Sequence, residues 1–528
     1  MTESHRQLSK YTAIFAGGTM LSRMSGLIRT VVMGHMLPAM SNDAFWAGFR
    51  FPNMLRDIVG EGASNAAFVP VLSETLEQKG EAAFRELVSA LMSAMILVLG
   101  AITILGFIFM PSIFVLVGWL QQLTGQEVSA EQIALMKSVT RWVFPYIFFI
   151  GLTVYQMGPL FILRHYSTPS WSPALLNVCL ILACWKGFSG FFPDPVYALV
   201  AGVWLGGISQ FLVQYIALGR RTGAWIPNFH LRHPGIRAAL WLWVPVILGQ
   251  SAGEVNKVVD TMFAASMAKG TITALSFANI IVQLPLAMFG LAISAAILPS
   301  ISRAAARQDF SEVRGTLMYG FRQSYFLIMP AIMTLIILPM PIVSLLFKHG
   351  QFSDAVAERT AVALAYYAAG LLCFAWVKIA VAGFYAVKKT LIPVTASFAS
   401  MVLNIGLIFL LAPRLGYRGL ALATTLSYTI NIIILYVQLC RLYGVLWDRP
   451  YAIGLLKTTL ATAGMSVVLY GTAHGLDMTG GATTFLGKLL AVAVPLAAAG
   501  LSYLGLCLLL RVPELDLLLS LLKRSTKG

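Results

Sequence analysis

Long apolar runs, separated by short polar, Gly- or Pro-rich stretches, recur along the whole chain. Each run has about 20 residues or more, which is the length that an α-helix needs to cross a bilayer. Outer-membrane barrels are excluded, because they are built from short alternating strands. We therefore predict an all-α polytopic membrane protein with about fourteen transmembrane helices. Their approximate limits are 11–36, 43–72, 87–118, 135–162, 171–187, 195–219, 238–267, 271–300, 316–347, 357–387, 390–412, 417–440, 451–473 and 485–510.

Two short motifs recur at nearly the same spacing. Residues 66–73 (AAFVPVLS) are echoed by 295–302 (AAILPSIS), and residues 176–181 (LNVCLI) by 403–408 (LNIGLI). Two halves with the same helix order predict two six-helix lobes related by an internal repeat. In transporters built this way, the substrate site lies between the halves near the bilayer midplane.

The repeat divides the chain into three parts. We expect an N-terminal lobe over 1–222 (helices 1–6) and a C-terminal lobe over 235–445 (helices 7–12). Residues 446–528 would add two helices and a basic cytoplasmic tail, because they have no partner in the repeat.

The net charge of +16 follows mostly from topology. With the N-terminus in the cytoplasm, the inner connections hold about 20 basic residues and the outer ones about 7, which is the positive-inside bias of membrane proteins. This bias favours an even number of helices with both termini in the cytoplasm. A nucleic-acid partner is not expected.

Charged residues within the first two predicted helices are the strongest functional signal. Arg23, Arg29, Arg50 and Arg56 lie there. A guanidinium at the centre of a membrane helix costs about 2.5–3.5 kcal/mol on insertion scales, so such groups normally face an aqueous cavity or a buried partner. Arg23 and Arg29 are about 9 Å apart along a helix axis. This spacing suits an extended anion such as a diphosphate, since arginine presents a planar fork to phosphate oxygens.

A purely structural alternative is open at this point. The arginines could pair with carboxylates and only lock helix one to helix two. The candidate carboxylates are Asp43, Asp57 and Glu61.

Helix seven carries a second group of charges, Glu254, Lys257 and Asp260, which share one broad helix face. They are either a self-neutralised cluster or a coupling and gating site opposite the helix-one arginines. Their net negative charge would attract a cation or a proton. Asp260, Asn404 and Thr424 together are weak candidates for a sodium site. The five cysteines have no metal-type spacing, so no other metal is expected.

Enzymatic activity is not expected, because no Walker loop, HExxH motif or nucleophile elbow stands out. The chain should therefore bind no cofactor. A sodium ion or the membrane potential remains open as the energy source.

At these residues the chain resembles the MurJ/MviN family, the lipid II flippases of the multidrug/oligosaccharidyl-lipid/polysaccharide exporter superfamily. The motifs that carry the resemblance run in order over about residues 11 to 442. They are 22–29 (SRMSGLIR), 42–45 (NDAF), 51–56 (FPNMLR), 61–63 (EGA), 67–70 (AFVP), 172–177 (SPALLN), 298–302 (LPSIS), 346–352 (LFKHGQF), 383–386 (GFYA) and 416–421 (GYRGLA).

The resemblance implies fourteen helices in two lobes, a cationic cavity that opens alternately to each side, and a groove for the polyprenyl tail in the last two helices. It implies a flippase in peptidoglycan and cell-wall biogenesis, in the bacterial inner membrane. Its partners would be lipid II, membrane lipids and cell-wall synthesis proteins. The expected substrate-binding residues are Arg23, Arg29, Arg56, Asp43, Asn53 and Lys257, and the expected coupling residues are Glu254, Asp260 and Lys378.

Three positions depart from the family pattern. The acid expected after the second arginine of helix one is Thr30, and the arginine and acid of helix eight are Ile280 and Gln283. We hypothesise that Lys257 replaces the missing cation, and Glu254 or Asp260 the missing acid. A flippase for another undecaprenyl-linked glycan and an ion-coupled small-molecule exporter remain alternatives.

Overall fold

The structure is a computed structural model, and it describes residues 3–58, 64–125, 128–223, 228, 234–387, 389–475 and 484–515. Every regular element of these residues is helical, so the predicted all-α class is confirmed. Glu61 and most of the polar connection between the predicted lobes lie outside the described residues, as does the basic C-terminal tail.

The chain forms two compact units. The first comprises residues 1–273 with 350–352, and the second comprises 274–349 with 353–528. The predicted boundaries at 222, 235 and 445 stay a prediction, and the seventh predicted helix belongs to the first unit in the structure.

Among the described residues, the first unit contains eleven α-helices, α1 to α11, and a 3₁₀ turn. They are α1 (Glu3–Met36), α2 (Ala39–Ile58), α3 (Ser64–Phe109), a 3₁₀ turn (Met110–Phe114), α4 (Val115–Thr124), α5 (Ala130–Val143), α6 (Tyr146–Ile162), α7 (Ser167–Trp171), α8 (Pro173–Ala183), α9 (Lys186–Ser189), α10 (Pro195–Thr222) and α11 (Pro234–Ala265).

The remaining helices form the second unit, apart from the first residues of α12. They are α12 (Thr271–Pro285), a π-helical segment (Leu286–Leu291), α13 (Ala292–Ala306), α14 (Phe310–Ile337), α15 (Pro339–Leu346), α16 (Asp354–Ala386), α17 (Leu391–Leu415), α18 (Tyr417–Tyr443), α19 (Arg449–Gly475) and α20 (Phe485–Leu509).

Nine helices of the described ranges are long and apolar enough to cross a membrane, or ten if α5 and α6, which meet at a bend of 40°, form one span. The chain is therefore a multi-pass membrane protein, while the count of fourteen is not confirmed. Helix α1 is not among these nine helices.

The internal repeat reappears in the backbone. Gly223 ends α10 with φ 84°, and Gly444 ends α18 with φ 80°. Such left-handed conformations favour glycine because it has no Cβ. The repeated Asn177 of α8 and Asn404 of α17 are both buried. Equivalent helices of the two halves therefore share a polar core position and a terminating turn.

The core of the first unit positions its polar site. Phe68, Leu91 and Leu160 belong to an apolar cluster in which α3 packs against α6 and α10. Within it, Tyr155 is fully buried and donates a 2.8 Å hydrogen bond to the carbonyl of Val88. A buried hydroxyl must find such a partner, so this contact fixes the register of α6 against α3.

Candidate functional site

Arg29 is the central cation of α1. Its Nη1 donates to Oδ1 of Asn177 on α8 at 2.9 Å, and its guanidinium lies 5.4 Å from the ring centre of Trp46 on α2. Asn177 Nδ2 in turn donates to the Ser22 carbonyl at 3.0 Å and to Ser25 Oγ at 2.9 Å. The Nε of Arg29 is buried without a hydrogen-bond partner. The half-buried guanidinium of Arg29 is thus surrounded by neutral groups, and its Nε–H remains available to donate a hydrogen bond.

The other predicted arginine of α1, Arg23, is exposed. It lies six residues before Arg29 on the same helix, so the structure keeps the predicted pair on one element. Thr30, which occupies the position of the family's acid, is fully buried and donates to the Gly26 carbonyl at 2.9 Å. It therefore satisfies the helix backbone and contributes no charge.

A chain of ion pairs joins α2 to α11. Arg56 donates to Oδ1 of Asp57 through Nη2 at 2.8 Å and through Nε at 3.2 Å. Lys257 Nζ lies 3.6 Å from Oδ2 of the same carboxylate and 2.5 Å from Oε1 of Glu254. The Asn53 amide approaches Asp57 Oδ2 at 3.5 Å. Asp57 and Glu254 are mostly buried, whereas Arg56 and Lys257 reach solvent-accessible space.

Arg50 makes a second link between the same helices. Its Nε donates to Oγ1 of Thr261 at 3.1 Å, and that hydroxyl donates to the Lys257 carbonyl at 2.7 Å. Arg50 thus ties α2 to α11 through a hydroxyl, whereas the structural alternative expected a carboxylate partner and a link between helices one and two. For Arg56, the carboxylate partner is Asp57, its neighbour on α2, so this pair does not lock helix one to helix two.

Asp43 is engaged by a helix N-terminus. Its carboxylate accepts hydrogen bonds from the Gly270 N–H at 2.6 Å, the Thr273 N–H at 2.8 Å and the Thr273 hydroxyl at 2.7 Å. The first N–H groups of a helix have no partner within it, so an acidic side chain stabilises them. Asp43 is almost fully buried and joins α2 to the start of α12. A role in substrate binding stays a prediction.

The predicted coupling residues are distributed over both units. Asp260 lies on α11 in the first unit, whereas Lys378 of α16, Asn404 of α17 and Thr424 of α18 lie in the second. Lys378 is exposed, and the hydroxyl of Thr424 donates to the Leu420 carbonyl at 3.1 Å. In the part of the chain that the structure describes, no three His, Cys, Asp or Glu residues are grouped to hold a metal. Sodium binding stays a prediction.

Three residues of the site were not predicted as members of it. Asp57 was considered only as a structural partner, while Asn177 and Trp46 were not proposed as contacts of Arg29. The repeated Leu-Asn motif is the signal that could have found Asn177, because an amide within an apolar helix needs a polar partner. Nothing in the sequence pointed to Trp46.

Comparison with known proteins identifies the family of the chain. The family described as "Lipid II flippase MurJ" matches residues 35–490. The lipid II flippase MurJ of Burkholderia cenocepacia is 30% identical over 500 residues, covering 93% of this chain and 95% of the relative. The chain belongs to this family. A probable lipid II flippase MurJ of Vibrio cholerae is 31% identical over 434 residues and covers 82% of each chain.

Solved structures show the same fold. A lipid II flippase MurJ in an inward closed conformation aligns with a TM-score of 0.75 at 24% identity, covering 92% of this chain and 98% of that one. An inward-facing multidrug resistance MATE transporter aligns with a TM-score of 0.67 at 14% identity, covering 82% and 98%. This chain therefore has the fold that these two transporters have.

Proposed function

We propose that this chain is a lipid II flippase, which moves the undecaprenyl-diphosphate-linked peptidoglycan precursor from the cytoplasmic to the periplasmic leaflet by alternating access. The observation that carries the proposal is the half-buried guanidinium of Arg29, which is held by the neutral amide of Asn177 and keeps a buried, unpartnered N–H. Burying a guanidinium without a neutralising carboxylate costs free energy within membrane helices, so this cation can bind an external anion. Membership of the family supplies the substrate class.

The chemistry of the substrate fits the first unit. Its diphosphate would engage Arg29 and Arg56, with Arg23 at the exposed face of α1, because guanidinium groups bind phosphate oxygens in a forked geometry. The sugar hydroxyls cannot enter hydrocarbon without partners, so the headgroup crosses through the protein while the polyprenyl tail stays in lipid. We assign the tail to the surface of α19 and α20.

Location and energy source belong to the same proposal. We place the protein in the bacterial inner membrane with both termini in the cytoplasm, where the positive-inside bias puts them. Lipid II, membrane lipids and cell-wall synthesis proteins are its partners, and nucleic acid is not. Energy comes from a sodium ion or from the membrane potential, which supplies about 2.3 kcal/mol per charge per 100 mV.

A flippase for another undecaprenyl-linked glycan is the second candidate. It is favoured by Ile280 and Gln283, which stand where the family has an arginine and an acid. Gln283 is exposed on α12, and its amide is hydrogen-bonded to Asn279 on the same helix. This chain therefore has a different charge set at α12.

Complementation tests the proposal. A strain depleted of its own lipid II flippase would express the chain or Arg29→Ala, and lipid II on the outer leaflet would be quantified. The unmodified chain should restore surface lipid II, and Arg29→Ala should not. Arg85→Ala is a matched control, because Arg85 is an exposed arginine of α3 that pairs with Glu81. No restoration by a correctly inserted chain would contradict the proposal, and a different glycan found by native mass spectrometry would favour the second candidate.

A further inference from the structure

One carboxylate serves two cations in the first unit. Oδ1 of Asp57 accepts from Arg56, while Oδ2 faces Lys257 at 3.6 Å. Lys257 also lies 2.5 Å from Glu254 Oε1, and Glu254 Oε2 is buried without a hydrogen-bond partner. Each oxygen of Asp57 therefore faces a different cation, and neither cation occupies both oxygens.

The acidic and basic side chains of this group differ in solvent exposure. The side chains of Asp57 and Glu254 are 17% and 12% exposed, whereas those of Arg56 and Lys257 are 33% and 45% exposed. The two anions are thus more buried than the two cations. Lysine suits the outer position because its ammonium is a point charge on a flexible four-carbon stem. A small displacement of Nζ would bring it within hydrogen-bond distance of Asp57.

The charges of the four residues cancel as long as Arg56 stays on Asp57. If Arg56 turns to an external anion, the group left behind consists of Asp57, Lys257 and Glu254, with a net charge of −1. That group is adjacent to the bound anion and repels it. Without Lys257 the residual charge would be −2, and without the charge of Glu254 it would be zero.

We propose that Lys257 and Glu254 set the affinity of Arg56 for diphosphate. Lys257 holds Asp57 while Arg56 engages the anion, and Glu254 keeps the residual charge negative so that the anion is released again. Both are positioning residues, since they act through Asp57 and Arg56. The inference rests on the proposed function.

Opposite shifts in affinity would distinguish this mechanism from a structural role. Undecaprenyl diphosphate would be titrated into the purified full-length protein in detergent at fixed salt, with binding followed by native mass spectrometry. Glu254→Gln should tighten binding about five- to tenfold and Lys257→Met should weaken it about five- to tenfold, as one charge at this range does. The double variant should return close to the parent affinity. Glu312→Gln, an exposed acid paired with Arg307 in the second unit, is the control and should change nothing.

Shifts in the same direction, or no shift for Lys257→Met, would overturn the inference. Thermal unfolding and gel filtration identify a variant that fails to fold. In that case, Lys257→Arg, which keeps the charge, should bind like the parent, and weakened binding by this variant would also count against the inference.

Arg56→Ala separates the two proposals. If it leaves binding unchanged, the assignment of Arg56 in the proposed function fails. If it weakens binding while the Glu254 and Lys257 variants do not diverge, only this inference fails.

Discussion

Asn177 holds the guanidinium of Arg29 without neutralising it. The 2.9 Å hydrogen bond between Arg29 Nη1 and Asn177 Oδ1 joins α1 to α8, and its acceptor is an amide instead of a carboxylate. An aspartate in the same position would form an ion pair and cancel the charge. The amide orients the cation and leaves its full charge for a ligand.

Replacing Asn177 by aspartate should therefore weaken anion binding. A carboxylate at hydrogen-bond distance forms a charge-assisted pair with Arg29, so we expect at least a roughly tenfold loss of affinity for undecaprenyl diphosphate. Native mass spectrometry measures the affinity and thermal unfolding checks the fold. Asn177→Ala loses the same amide donations to Ser22 and Ser25 as the aspartate variant but adds no charge, so it should lower the melting temperature similarly and weaken lipid binding less.

Thr360→Ala provides the control for this pair of variants. Thr360 is fully buried in α16 of the second unit, and its hydroxyl donates only to the Val356 carbonyl of its own helix among the bonds described. Thr360→Ala should leave the affinity for undecaprenyl diphosphate unchanged. If Asn177→Asp binds the lipid as tightly as the parent, Arg29 is not the anion-binding cation.

Asp43 should be required for stability. Asp43→Ala removes the acceptor of two backbone N–H groups and one hydroxyl at the start of α12. Each buried donor left without a partner costs about 1–3 kcal/mol, so the melting temperature should fall clearly. Asp43→Asn retains one acceptor oxygen, so its melting temperature should fall less than that of Asp43→Ala. An unchanged melting temperature for Asp43→Ala, together with lost lipid binding, would instead assign Asp43 to the substrate.

The helical class and the location of the first cations could be predicted from the sequence, because both depend on local composition. Apolar runs specify membrane helices, and Arg29 stands out inside one of them. The number of spans could not be fixed in this way. The predicted span 87–118, for example, corresponds to parts of α3 and α4 with a 3₁₀ turn between them, and α3 begins 23 residues earlier at Ser64, with Gly80 (φ 82°) as a kink inside it.

The partners of the charged residues could not be predicted. Lys257 was expected between Glu254 and Asp260, its neighbours on one helix face, since only contacts within a helix can be deduced from spacing. In the structure it pairs with Glu254 and with Asp57, which lies 200 positions earlier. Such a contact depends on how α2 packs against α11. Packing of this kind is decided by side chains of many helices together.

His165 should make stability depend on pH. It lies between α6 and α7, where partial burial, and secondarily the charge of Arg221, lower its pKa from the ordinary value of 6.5. The unfolded chain therefore binds a proton at a higher pH than the folded one, so stability declines as pH falls from about 7.5 through 6.5. Melting temperatures measured from pH 7.5 to 5.5 should fall more steeply for the parent than for His165→Gln. The difference should be small, because His165 is only partly buried. Equal slopes would contradict the assignment.

Two adjacent glycines of α1 give a matched pair of variants. A Cβ at Gly18 would lie 2.7 Å from the backbone carbon of Ser170 and 2.4 Å from its Oγ, whereas one at Gly17 would meet nothing within 4 Å. Backbone atoms cannot move aside cheaply, so Gly18→Ala should separate α1 from α7 and lower the melting temperature. Gly17→Ala should be neutral or slightly stabilising, because alanine favours a helix by up to about 1 kcal/mol over glycine. Since α1 also carries Arg29, Gly18→Ala should weaken binding of undecaprenyl diphosphate. If Gly17→Ala and Gly18→Ala bind this lipid with equal affinity, the close approach of α1 and α7 does not position the site.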